Sequence, residues 1–211
     1  RYDLTTPYDI STCQFAQQTT NLDVQANLND SAAGDFSEAA EADYDTAGLN
    51  DSKKIRLQGF EFNNKGTKLF LATRSATNGK DKDKLFRYDL TTPYDISTCQ
   101  FAQQTTNLDS ADNLNNSAAG NFTNAGDGYA GGHKQIRLQG FEFNNKGTKL
   151  FLSWFGNGDT GKLLEYTLST PYDITSLQLV TTAGIEMGSG TDTNVGNSAG
   201  IRFGANGKRI F

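Results

Sequence analysis

Residues 1–23 of this chain, RYDLTTPYDISTCQFAQQTTNLD, return unchanged at residues 87–109. Residues 55–71, IRLQGFEFNNKGTKLFL, return unchanged at residues 136–152. A looser third version follows each. Self-similarity at a fixed spacing specifies a modular array in which each unit stacks on the next. That constraint outranks any local propensity, because every unit must then fold in the same way.

One full unit reads as four short strands. Residues 55–62 are rich in β-formers, and their apolar phase shifts at Gly59, from Ile55 and Leu57 to Phe60 and Phe62. A glycine at a phase shift marks a bulge or a close backbone approach. Asn63-Asn64-Lys65-Gly66 is a tight hairpin turn with Gly66 at the position that needs positive φ. Residues 68–73, KLFLAT, form a continuous apolar run, which predicts a second strand buried on both faces. Residues 84–90 alternate cleanly, with Phe86, Tyr88 and Leu90 on one face and Arg87 and Asp89 on the other. All three prolines, Pro7, Pro93 and Pro171, fall in the turn that follows this third strand. Proline presets φ for a turn and cannot donate to a ladder, so the sheet is broken there. A fourth strand over about 98–105 places Cys99 and Phe101 inward.

Four antiparallel strands per repeat describe one propeller blade. GFEFNNKGTKLFL resembles the inner-strand and hairpin signature of YVTN/lactonase-like and NHL-like β-propellers, whose pattern is roughly G-L-A-F-x-P-D-G-T-K-L-Y-V. YDLTTPYDIST is similar to repeats in large secreted or surface proteins of marine bacteria and their phages. The resemblance covers nearly all of the chain outside its long insertions. It implies an all-β propeller fold and leaves function open, since propellers host many activities.

The 211 residues then divide into one propeller region, with full blades at 55–108 and 136–180 and half-blades at 1–22 and 197–211. Insertions occupy 24–54 and 110–135. The two half-blades are complementary, one supplying third and fourth strands and the other first and second. Propellers typically hold about four to eight blades, so the chain is expected to be a piece of a larger propeller. The other expectation is that half-blades pair between copies, closing a ring or running on as a filament.

A formal net charge of −5 argues against a nucleic-acid binder, which would show a basic face. No apolar run approaches the length of a membrane-spanning helix. The two cysteines, Cys13 and Cys99, occupy one repeat position where the third copy has Leu177. That exchange marks an apolar core slot.

Candidate site residues come from where the copies disagree, because loops on a rigid scaffold are the usual home of function. Arg74 opens one variable loop, and Trp154 and Phe155 open the matching one, where aromatic rings either stack on a sugar or pack between blades. His133, the only histidine, and Asp127 lie in the second insertion. Arg56, Arg137, Glu61 and Glu142 recur on the innermost strand as candidates to line a channel, with pairing between neighbouring blades as the structural alternative. The first insertion is acidic. Asp43, Asp45 and Asp51 are its calcium candidates, because hard cations want clustered oxygen ligands, and a solvated loop is the alternative.

Three functional readings follow. The first is a non-enzymatic structural or adhesive module of a secreted, cell-surface or virion protein, binding glycan or protein, with no cofactor other than calcium. The second is a propeller enzyme, lactonase-like or glycoside-processing, with its active site largely outside this chain. The third is a self-assembling filament or coat subunit. Partners on these readings are other blades of the same protein, further copies of the chain, or a glycan or protein.

Overall fold

The computed structural model describes residues 2–7, 9–16, 55–75, 83–105, 108, 136–156, 161–187 and 200–211. It is all-β, with four-stranded antiparallel sheets. The strands are β1 (Tyr2–Leu4), β2 (Cys13–Phe15), β3 (Ile55–Phe62), β4 (Lys68–Ser75), β5 (Lys84–Leu90) and β6 (Cys99–Gln104). They continue as β7 (Ile136–Phe143), β8 (Lys149–Gly156), β9 (Gly161–Leu168), β10 (Leu177–Met187), β11 (Phe203–Gly204) and β12 (Arg209–Ile210). The first sheet has the order β3-β4-β5-β6 and the second β10-β9-β8-β7, so each is a simple meander. β1-β2 and β11-β12 form two separate two-stranded sheets.

The local rules explain the strands. Register shifts between Leu57 and Gly59, and again between Leu138 and Gly140, place a bulge at the repeated glycine. Gly66 and Gly147 adopt φ of 68° and 67°, as their hairpin turns require. Asn63 Oδ1 accepts from the Thr67 and Lys68 N–H groups at 2.9 and 3.0 Å, and Asn144 repeats this with Thr148 and Lys149. On β5, Phe86, Tyr88 and Leu90 are buried, while Arg87 on the other face meets Asp89 at 2.9 Å.

Two local features go beyond the sequence reading. The proline turn continues into a single 3₁₀ turn, Ile96–Thr98, started by Asp95, whose side chain accepts from the Ser97 N–H at 3.0 Å. Asp9 and Asp173 do the same in the other copies. The residue after the proline is also left-handed, with φ of 59° at Tyr94 and 62° at Tyr172. That conformation costs a non-glycine residue about 1–2 kcal/mol. It persists because the Tyr94 N–H donates to Gly66 O and the Tyr172 N–H to Gly147 O, each at 2.8 Å. Each ring also covers the glycine beneath it so closely that a Cβ there would strike it.

The second sheet departs from the first in its outer strand. β10 continues beyond residue 180 to Met187, and its register against β9 jumps between Leu179 and Gly184. The intervening residues leave the ladder, and Gly184 re-enters it opposite Leu164.

The main core lies between the two large sheets. Phe70, Ala72 and Leu85 of the first pack against Leu138, Phe141, Phe143, Leu152 and Tyr166 of the second. A second cluster, Leu69, Leu71, Phe86, Tyr88 and Leu90, sits on the opposite face of the first sheet. KLFL is therefore buried on both faces, as its unbroken apolar run predicts. Cys99 is half-buried against that second cluster, in keeping with an apolar slot, whereas Cys13 is exposed because its hairpin has no described neighbour.

The repeated bulge glycines face different surroundings. A Cβ on Gly140 would lie 2.8 Å from the Gly200 Cα, but one on Gly59 would meet only the Phe141 ring at 3.8 Å. Gly140→Ala is therefore expected to cost about 1–3 kcal/mol by forcing backbone apart, and Gly59→Ala to stay within about 0.5 kcal/mol. Denaturant midpoints of the two variants check this, and equal losses would contradict it.

Candidate functional site

In a four-stranded meander the start of the first strand, the end of the second, the start of the third and the end of the fourth share one edge. Ile55 pairs with Ser75, Thr73 with Lys84, and Phe86 with Gln104, so both variable connections of the first unit leave from this edge. The second unit repeats the arrangement, with Ile136 opposite Gly156 and Gly161 opposite Met187.

The sequence candidates assemble here in pairs. Arg56 stands opposite Arg74 across β3 and β4, and Arg137 opposite Phe155 across β7 and β8. Trp154, opposite Leu138, is fully buried in the core between the sheets, so its ring packs and offers no stacking platform. His133, Asp127, Asp43, Asp45 and Asp51 lie outside the described residues. Among the described residues, no group of three or more His, Cys, Asp and Glu stands together to hold a metal. No helix among them is long and apolar enough to cross a membrane.

What sequence reasoning missed at this edge is a set of buried polar side chains. Asp83, Lys84, Thr73, Gln104, Thr105 and Lys162 are all buried. Their bonds stitch strand ends together. Lys84 Nζ donates to Gln104 Oε1 at 3.3 Å, and the Leu85 N–H donates to Thr105 Oγ1 at 3.0 Å. Asp83 carries two roles: its backbone oxygen accepts from the Leu108 N–H and its Oδ2 from the Leu138 N–H, each at 2.9 Å. The second bond crosses between sheets. The alternation puts Lys84 on the same face as Phe86, Tyr88 and Leu90, so its parity points inward while its charge reads as the polar margin of a loop.

Glu61 and Glu142 each accept a bond from the unit that follows. β7 is an edge strand of its sheet, and its outward Phe143 N–H donates to Glu61 Oε2 at 3.1 Å. The Phe203 N–H donates to Glu142 Oε2 at 2.7 Å in the same way. Arg202, at the matching position of the last copy, lies 3.9 Å from Glu142. Three more bonds join the large sheets. Arg87 Nη1 donates to Tyr172 O at 3.2 Å, Gln103 Nε2 to Asp173 Oδ1 at 3.0 Å, and Asn64 Nδ2 to Asn145 O at 2.6 Å.

Burial pushes the Glu61 carboxyl up to about 7. The Phe143 N–H opposes that rise, the Glu142 charge adds to it, and Arg202 offsets it. Asp173 is held below the usual carboxylate range, chiefly by the Thr175 hydroxyl.

No family model matches this chain, no curated protein matches it, and no solved structure matches it.

The Glu61 geometry gives a pH test. The folded state holds the Glu61 proton up to about pH 7, against an ordinary value of 4.5. Stability from this group is full below that ordinary value and is lost as pH rises toward neutrality. Glu61→Gln keeps an oxygen acceptor for the Phe143 N–H and removes the titration. Urea unfolding across this window is expected to show a declining stability in the parent and a flatter profile in Glu61→Gln; parallel profiles would refute the assignment.

Proposed function

We propose that this chain is a structural or adhesive module of a β-propeller, built of four-stranded blades, that binds a glycan or protein through the loops on one edge. The observation that supports this reading is the contrast between scaffold and connections. The scaffold repeats its bonds from unit to unit, in the Glu61 and Glu142 acceptors, the Asn63 and Asn144 turns and the Tyr94 and Tyr172 clamps. The connections differ in length and composition between copies, and they emerge together at the edge where Asp83, Lys84 and Lys162 are buried. A rigid frame that varies only its loops on one side is how binding surfaces are carried. Repetition also suits multivalent contact, where weak sites gain from being linked.

The buried polar residues of that edge support binding over turnover. Lys84, Thr105 and Asp83 hold strand ends and the neighbouring sheet by hydrogen bonds, and so serve the frame that positions the loops. A secreted, cell-surface or virion setting belongs to the same proposal and rests on the resemblance of the YDLTTPYDIST repeat.

The test uses the full chain beside a variant in which residues 24–54 and 110–135 are replaced by short Gly/Ser linkers. Glycan-array and protein pull-down signals are expected for the parent and lost in the variant, with the thermal midpoint little changed. Equal binding by both chains, or measurable turnover of a lactone or glycoside by the parent, would overturn the reading.

A further inference from the structure

The junction between the two large sheets is fastened unevenly along its length. Glu61, Phe70, Arg87 and Gln103 form one row across the first sheet, each paired with the next. All four reach the second sheet. Glu61 Oε2 accepts from the Phe143 N–H at 3.1 Å, Arg87 Nη1 donates to Tyr172 O at 3.2 Å, and Gln103 Nε2 donates to Asp173 Oδ1 at 3.0 Å. The Phe70 ring lies 4.5 Å from Phe143 and 5.9 Å from Tyr172, which are themselves 5.4 Å apart. Toward the turn end, Asn64 Nδ2 adds a bond to Asn145 O at 2.6 Å. The 3₁₀ turn Ile174–Ser176 lies against β5 and β6 at the same end, with Ile174 buried.

The loop end is held differently. The level of Thr73 and Lys84 stands roughly 10 Å along the strands from that row. Here Asp83, directly before β5, accepts from the Leu138 N–H at 2.9 Å. The apolar residues at this end are Ala72, Leu85 and Leu108 from the first unit and Leu138 and Trp154 from the second. The first sheet thus offers Ala72 where the row offers Phe70. Trp154, opposite Leu138 on β8, is fully buried, and its indole N–H has no acceptor among the described residues. A buried donor without an acceptor raises the energy of the closed arrangement, and opening lets water bond to it.

We propose that this junction is a hinge. The row from Glu61 to Gln103 is its axis, the loop end is the part that opens, and the bond between Asp83 and Leu138 is its latch. In the open arrangement that bond is broken and Trp154 meets water, while the bonds of the row stay formed. Parts of a structure open separately when their fastenings differ in strength, and the end with fewer directional contacts opens first. The conformational change is therefore a swing of one sheet against the other rather than a separation of the two.

The latch is a specific device rather than a feature of every unit. Gly161 stands at the repeat position of Asp83, so the second unit carries no such carboxyl there. Asp83 also binds more than the neighbouring sheet, since its backbone oxygen accepts from the Leu108 N–H at 2.9 Å. It therefore ties the residue that follows β6 and the first strand of the next unit to the start of β5. The end that opens is the edge from which the variable connections leave, so the swing changes the spacing between Asp83 on one unit and Leu138 on the next. That motion is a property of the frame and holds whatever the connections bind.

The test needs no ligand. Amide hydrogen exchange followed by NMR reads the Leu138 and Phe143 N–H groups separately, and acrylamide quenching reads Trp154, the only tryptophan. In the parent chain Leu138 is expected to exchange faster than Phe143 and with a smaller denaturant dependence, because the hinge exposes little surface. Asp83→Ala is expected to speed Leu138 exchange about ten-fold or more, the effect of losing one buried bond, and to raise the quenching of Trp154 while Phe143 stays protected. Trp154 makes no bond to Asp83, so its exposure reports the swing and not merely the missing acceptor. Asp83→Asn keeps an oxygen acceptor and is expected to return both readouts toward the parent. Arg87→Met, in the axis, is expected to speed both amides together. Equal rates and equal denaturant slopes at Leu138 and Phe143 in the parent overturn the hinge even if Asp83→Ala does not fold. Unchanged Trp154 quenching in a folded Asp83→Ala, or parallel loss of protection at both amides, overturns it as well.

Discussion

The arrangement of this molecule depends on how the open edge of each first strand is satisfied. A strand at the edge of a sheet presents N–H groups that must find acceptors or water. Here the acceptors come from the preceding unit as carboxyl oxygens: Glu61 for Phe143 and Asp83 for Leu138. One sheet thus closes the edge of the next by side chain, and the bond fixes both spacing and rotation between them. The apolar contacts of Phe70, Ala72 and Leu85 supply most of the attraction, since burial is non-directional. These carboxyl groups decide which of many packed arrangements is adopted, because a buried acceptor left unpaired is costly.

The clamp at the Pro-Tyr turn works in the same direction from the other end of the sheet. A left-handed tyrosine is unfavourable in isolation, and its neighbours hold it there by one backbone bond and by contact with a glycine. Tyr172 then reaches Phe70 of the preceding sheet, so a local strain is converted into an inter-sheet contact. Arg87 donates to the oxygen of that same tyrosine. The turn is therefore part of the interface as well as the end of a strand.

Much of the fold was legible in the sequence because its determinants are local. The bulge at Gly59, the positive φ of Gly66, the double burial of KLFL and the alternation from Phe86 to Leu90 each follow from a few adjacent residues. The left-handed Tyr94 was not legible, since positive φ is ordinarily announced by Gly or Asn. Asp95 as a turn starter was available in the Asp-Ile-Ser spacing and went unread. The candidate site was legible only in outline. Its position at one edge follows from strand order, but the burial of Asp83, Lys84 and Lys162 depends on what packs over them from elsewhere in the chain. Trp154 shows the reverse case, a residue at a loop mouth whose ring turns into the core.

The exact duplication also bears on how the chain reaches this structure. β4 encounters RYDL twice, at residues 87–90 of its partner strand and at residues 1–4, and over that shared stretch the side chains cannot tell it which to pair with. There only connectivity discriminates. The correct partner follows β4 after a short loop, while the other lies dozens of residues away, and closing the longer loop costs roughly 1–2 kcal/mol more in chain entropy. That margin is small compared with the energies of core packing, so correct pairing is chiefly a matter of which contact forms first. Order of synthesis works against it, since the distant copy emerges before the near one. The short loop between β4 and β5 is thus a kinetic arbiter, and lengthening it would erode fidelity without touching a single native contact.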